Sequence, residues 1–177
     1  MLRLFSALAV PPEVGERLVQ AQSGLERARW RPLESLHVTL RFYGDVREDA
    51  ARDLDAELAL AGAGPVGVAL SGVGAFGEGR DIHAVWAAVI ETEPLRRLAE
   101  RCERAARRAG LQPERRVWRP HVTLAYLNRP DPDAVARWIQ ANNLLSVEAF
   151  ALDRFGLYSS HRTAEGSVYR QEAEYPL

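Results

Sequence analysis

Two histidines and two threonines in this chain carry the first chemical signal. His37-Val38-Thr39-Leu40 and His121-Val122-Thr123-Leu124 repeat one tetrapeptide 84 positions apart, and each copy follows a Trp-Arg-Pro, at 30–32 and 118–120. The chain has only four histidines and four threonines, so half of each is spent on this phrase. On an extended strand, alternate side chains share a face, so His and Thr would emerge together, ~7 Å apart at ~3.3 Å per residue. His37, Thr39, Arg41 and Tyr43 are expected on one face, with Val38, Leu40 and Phe42 on the other. In the second copy His121, Thr123 and Ala125 should oppose Val122, Leu124 and Tyr126. Two imidazoles supply an acid and a base near neutral pH, because a free imidazole titrates at about 6.5. Two hydroxyls can hold an anionic tetrahedral group, and arginines can neutralise it. The group that needs these parts, with no nucleophilic side chain and no metal, is a phosphodiester.

The elements that must carry the phrases repeat with them. "LRLFSALAV" reads as a strand, residues 12–28 as a helix, "SLHVTLRFYGD" as a strand, 48–61 as a helix and "VGVALSGVGAF" as a strand. The order returns with "IHAVWAAVI", a helix over 93–109, "RPHVTLAYL", a helix opening at Asp131-Pro132, and a single strand "SVEAFALDRFGLY"; "SVYRQEAEY" closes the chain. This order predicts one α+β domain over residues 1–177, duplicated internally at roughly 1–80 and 81–177. It would form two pseudo-symmetric lobes, each a mostly antiparallel sheet with helices on its outer face, and an active-site cleft between them.

Composition narrows the function. The 177 residues carry 23 basic and 24 acidic side chains, for a net charge of −1, which excludes coating nucleic acid through bulk charge. Every basic residue is arginine, so Schiff-base, lysyl-nucleotide and P-loop lysine chemistry is unavailable. One cysteine, Cys102, allows no disulfide framework. No apolar run approaches the ~20 residues of a membrane span, and a cytoplasmic protein without membrane contact is expected. His83 reads as a partly buried structural residue, His161 as a loop residue, and Trp86 and Trp138 as core. Tyr43, Tyr158 and Phe5 are candidates to stack a base. The six arginines of 96–108, interleaved with Glu100 and Glu103, read as a solvated helix face.

With "RLFSAL", "LHVTLRFYGDV", "VWAAV", "RPHVTLAYL" and the closing "LYSSHRTAEGSVYRQEAEYPL", the chain resembles the 2H phosphoesterase superfamily, named for two His-x-Thr/Ser-x motifs. Within it the chain is most similar to the RNA 2′,3′-cyclic phosphodiesterases, also called 2′-5′ RNA ligases. The resemblance implies a hydrolase without cofactor or metal, acting on RNA or nucleotides that end in a 2′,3′-cyclic phosphate; a monomer is expected. It implies His121 as proton acceptor, His37 as proton donor, and Thr39 and Thr123 as phosphate ligands. Run backwards, the reaction would join RNA ends 2′-5′ without ATP. Members commonly carry arginine five residues after the second histidine, where this chain has Tyr126. Arg41 is expected to take that load, with Arg119, Arg115 and Arg116 as further candidates. The alternatives are an RNA-end-binding module, a hydrolase of another small cyclic phosphate such as ADP-ribose 1″,2″-cyclic phosphate, and a metalloenzyme with the two histidines as ligands.

Overall fold

The computed structural model describes residues 1–163 and 166–177. In chain order the elements are β1 (Leu2–Ala9), α1 (Pro12–Val19), β2 (Arg29–Trp30), β3 (His37–Val46), α2 (Glu48–Leu58), β4 (Val66–Phe76), β5 (Ala84–Val89), α3 (Glu93–Arg108), β6 (His121–Tyr126), α4 (Pro132–Asn142), β7 (Ser146–Leu152), β8 (Arg154–Thr163) and β9 (Gly166–Pro176). The protein is α+β, and its nine strands form one antiparallel sheet in the order β7-β4-β5-β6-β3-β1-β8-β9, with β2 paired to β6.

The sheet is pinched at its centre. β3 and β6, the two strands that open on the repeated histidines, share one registered pair, Val38 opposite Val122. On one side lie β3, β1, β8 and β9; on the other lie β6, β5, β4 and β7. The third strand of each repeat therefore crosses over, since β4 pairs with β5 and β8 pairs with β1.

Apolar residues of the strands pack against the helices in one continuous core. α3 gives that core Leu95, Leu98, Ala99, Cys102, Ala105 and Ala106, while Arg96, Arg97, Arg104, Arg107 and Arg108 are exposed, and half-buried Arg101 donates to the Gly62 carbonyl. Arg96, Arg97 and Arg107 pair with Glu100, Glu93 and Glu103 one turn away. Thr92 caps the helix, its Oγ1 accepting from the Leu95 amide at 3.4 Å. Burial pushes the Cys102 thiol up to about 12, so it stays a neutral core residue. No helix among the described residues is long and apolar enough to cross a membrane.

Three local expectations change. α1 stops at Val19 instead of reaching residue 28; beyond it Gly24 and Arg27 hold φ of 82° and 57°, which no α-helix tolerates. The expected single strand 146–158 breaks at Asp153 into β7 and β8, which lie on opposite sides of the sheet. His161 lies on β8 and not in a loop, and its Nε2 sits 3.0 Å from Ser159 Oγ. Ala164 and Glu165 of the expected loop fall outside the described residues.

Candidate active site

Both histidines are the first residues of their strands, and each ring is anchored by the turn before it. His37 Nδ1 lies 2.8 Å from the Ser35 carbonyl oxygen, and His121 Nδ1 lies 2.7 Å from that of Arg119. A carbonyl can only accept, so each Nδ1 carries the proton and donates it, leaving Nε2 as the nitrogen free for proton transfer. The anchors arise differently. Leu33–Ser35, within the four-residue stretch that the first copy has and the second lacks, form a 3₁₀ turn that presents the Ser35 carbonyl.

An antiparallel register through Val38 and Val122 sets His37 across from Thr123, and Thr39 across from His121, on the same face. The repeated phrase thus builds a quartet with its histidines on one diagonal and its threonines on the other. Thr39, Thr123 and His121 line an open groove of about 1170 Å³, together with Phe76, Trp118, Arg119 and Tyr126. The two imidazoles are near enough that charge on His121 opposes charge on His37.

Aromatic rings wall both histidines. Phe5 and Tyr169 approach His37 with ring centroids at 5.0 and 5.2 Å. Phe76 meets His121 edge-on at 4.8 Å, and Trp86 lies at 6.2 Å. This burial strips water from the imidazolium, so both rings lose protons more readily. His37 falls to about 4, lowered first by desolvation and then by the charges of Arg31 and His121, against the Ser35 hydrogen bond. His121 is lowered by desolvation, against its bond to Arg119. With no anion present, both rings are neutral at pH 7.

A matched pair of irregularities decides which neighbours reach this face. Ala7 pairs with Thr39 but Ser6 with Arg41, so Leu40 is an extra residue, a β-bulge. Trp86 pairs with Thr123 but Val85 with Ala125, so Leu124 is its twin. Each bulge shifts the alternation by one. Arg41, expected beside His37, instead turns to the helix side with Ser6 and is 7% exposed. There its Nε donates to Glu103 Oε2 at 2.5 Å and its Nη2 to the Gln112 carbonyl at 2.8 Å. Its charge is shared with Glu103 and Glu114, although it still lines the same groove as Thr39, Thr123 and His121. Tyr43 follows Arg41 to the helix side and donates to Ser6 Oγ at 2.9 Å, so it stacks no base in the cleft. Phe42 and Tyr126 take the opposite course, onto the histidine face.

The other arginines separate as well. Arg119 is exposed and lines the groove. Arg116 is held by Glu114 at 2.9 Å, and Arg115 is exposed. Arg31, which sequence reasoning passed over, is buried, with its guanidinium over the rings of Tyr169 and Tyr126. Its signal was visible: it is the arginine of the first Trp-Arg-Pro.

Two further residues move from their expected places. His83 is exposed at the mouth of the groove, stacked on Phe76 at 6.3 Å, instead of partly buried in a strand. Trp86 is half-buried beside His121 rather than in the core, lying flat over Gly74, where a Cβ would collide with the indole ring. Its buried Nε1–H has no acceptor among the described residues. Gly74→Val should therefore push the indole toward His121 and lower kcat/KM roughly tenfold to a hundredfold. A steady-state assay with a melting curve checks this; wild-type kinetics in a folded variant would show that Trp86 does not shape the site.

Residues 10–164 match the family model of the 2′-5′ RNA ligase superfamily. The chain is 33% identical over 191 aligned residues to the RNA 2′,3′-cyclic phosphodiesterase of Thermus thermophilus, covering 99% of this chain and 90% of that one. It is 27% identical to the protein of the same name from Archaeoglobus fulgidus, covering 96% and 97%. A crystal structure of the Thermus thermophilus protein TT0787 superposes with a TM-score of 0.80 at 27% identity, covering 99% and 98%. A matched family model over most of the chain, a relative one-third identical along nearly its whole length, and two His-x-Thr strands joined at the sheet centre agree: the chain belongs to the 2′-5′ RNA ligase superfamily, the 2H phosphoesterases.

Proposed function

We propose that the protein hydrolyses 2′,3′-cyclic phosphate ends of RNA or nucleotides to 2′-phosphates by two-histidine acid–base catalysis. One observation carries the reading: two imidazoles, each anchored through Nδ1, are brought together with two threonines by the Val38–Val122 pair. His121 Nε2 takes a proton from water as its oxygen attacks phosphorus. The bond from phosphorus to the 3′-oxygen breaks, and His37 Nε2–H gives that oxygen its proton. Thr39 and Thr123 hydroxyls hold the non-bridging oxygens. The chain's relatives in Thermus and Archaeoglobus bear the name of this activity, which supports the substrate class.

Burial and the nearby Arg31 make His37 reluctant to hold a proton, so its role as donor depends on the substrate to protonate it. The anionic substrate supplies what His37 lacks in the free protein, because a negative charge within ~4–6 Å favours the protonated ring. With an RNA 5′-hydroxyl in place of water, the reverse reaction would form a 2′-5′ bond. It would need no ATP, in keeping with a chain that has no lysine to carry an adenylate.

Incubating the protein with a 2′,3′-cyclic nucleotide after dialysis against EDTA tests the reading. A 2′-phosphate should be the product, at undiminished rate. A 3′-phosphate product, or activity abolished by chelation and restored by a metal, would overturn it.

The pH dependence follows from the two lowered imidazoles. For the free enzyme, kcat/KM should trace a bell on the acid side of neutrality, between about 4 and the ordinary 6.5. Bound phosphate raises both rings, so the bell for kcat should sit at higher pH. Profiles measured from pH 4 to 9 check this, and a flat kcat/KM would rule out the pairing.

A further inference from the structure

Two arginines among the described residues are buried, and they differ in what matches their charge. Arg41 has Glu103 and Glu114. Arg31, 8% exposed, has no carboxylate within 4.0 Å among the described residues. Its Nη2 donates to the Ser167 carbonyl at 3.1 Å, and its guanidinium lies 4.8 Å from the Tyr169 ring centre and 5.7 Å from that of Tyr126. Stacking on two rings recovers part of what a cation loses on leaving water. A buried cation still favours a nearby anion, because the desolvated charge is otherwise uncompensated.

The surroundings say which anion. Tyr169 is packed edge-on against His37 at 5.2 Å, and Tyr126 lies on the histidine face of β6 beyond Thr123. The charge of Arg31 is felt at His37 itself. Its position is also fixed in advance. The Arg31 amide donates to the Leu124 carbonyl at 2.8 Å, at the bulge of β6. Gln22 Nε2 bridges the two segments, donating to the Arg31 carbonyl at 2.9 Å and to that of Leu124 at 3.3 Å. Such pinning holds a charged donor in place before the reaction begins, which is what stabilising developing charge demands. The twin residue in the second Trp-Arg-Pro, Arg119, is exposed and offers its carbonyl to His121 instead.

We propose that Arg31 is the phosphate-neutralising cation of this site, bonding a non-bridging oxygen on the His37 side and doing so from the segment just after β2, in place of a cation on β6 at Tyr126. The proposal rests on the cyclic-phosphate reading for its substrate. It requires of the structure only that the quartet of histidines and threonines holds a phosphate.

Calorimetric titration with inorganic phosphate and with 2′-AMP tests it without turnover. Arg31→Met should weaken both by about tenfold or more and lower kcat/KM for 2′,3′-cyclic AMP by about 10²-fold. Arg31→Gln removes the charge but keeps an amide for the Ser167 carbonyl, so it serves if the methionine variant does not fold. Tyr126→Arg in the Arg31→Gln background should return part of the phosphate affinity. A wild-type protein that binds no phosphate, or a folded Arg31→Gln protein that binds it within twofold of wild type, would overturn the proposal. Absence of hydrolysis by a wild type that binds phosphate more tightly than Arg31→Gln would instead sink the catalytic reading and leave Arg31 as an anion ligand.

Discussion

His121→Ala should lower kcat for a 2′,3′-cyclic nucleotide by about 10²–10⁴-fold, and His37→Ala by a similar factor. The double variant should fall little further than either single one, because groups that act on one transition state are strongly non-additive. Substrate binding should weaken far less, since Thr39, Thr123 and the surrounding arginines remain. Rapid-quench assays of the three variants check all three statements. Hydrolysis that survived in both single variants would remove the histidines from the mechanism.

The His37 variant carries a second, independent signature in stability. Its imidazole titrates near 6.5 in the unfolded chain but at about 4 in the fold. The unfolded state therefore binds the extra proton first, and the wild type loses stability as pH falls from 6.5 through 4. His37→Ala has no such ring to protonate. Relative to wild type it should gain stability across that window and show no change in the difference above pH 7.

Arg41→Met should do the opposite of a site mutation: destabilise the fold by about 2 kcal/mol or more while leaving kcat/KM within a few-fold of wild type. Arg41 is nearly fully buried, so removing it strips Glu103 and the Gln112 carbonyl of a donor at once. The loss falls short of the full cost for a sealed ion pair, because Glu103 is partly exposed and keeps Arg107 at 2.9 Å. Urea denaturation measures the first effect and steady-state kinetics the second. A stable variant with activity reduced a hundredfold would return Arg41 to the phosphate and contradict the bulge at Leu40.

That bulge marks the boundary of what could be read in advance. Alternation of side chains placed His37 with Thr39 and His121 with Thr123, because those positions precede any irregularity. It failed at the next step in both copies, where Leu40 and Leu124 each occupy two-against-one positions. Nothing in a leucine announces a bulge; the extra residue shows only against the partner strand. The same fault turned Arg41 toward Glu103 and brought Tyr126 onto the histidine face. The composition of α3 was legible, since its apolar stripe and its i,i+4 charge pairs are local properties. The order of the sheet was not, because pairing β4 with β5 and β8 with β1 depends on contacts across the whole chain. Trp86 looked like core among its apolar neighbours until Gly74 on the adjacent strand left room for it to lie flat beside His121.

The central claim is that one phosphate is held between a histidine from each repeat. A crystal structure of the protein with 2′-AMP bound tests it most directly. Phosphate oxygens should lie ~2.6–3.2 Å from both His37 Nε2 and His121 Nε2, with Thr39 and Thr123 hydroxyls on the remaining oxygens. A phosphate bound well away from either imidazole, in a crystal where both rings keep their Nδ1 anchors, would contradict it.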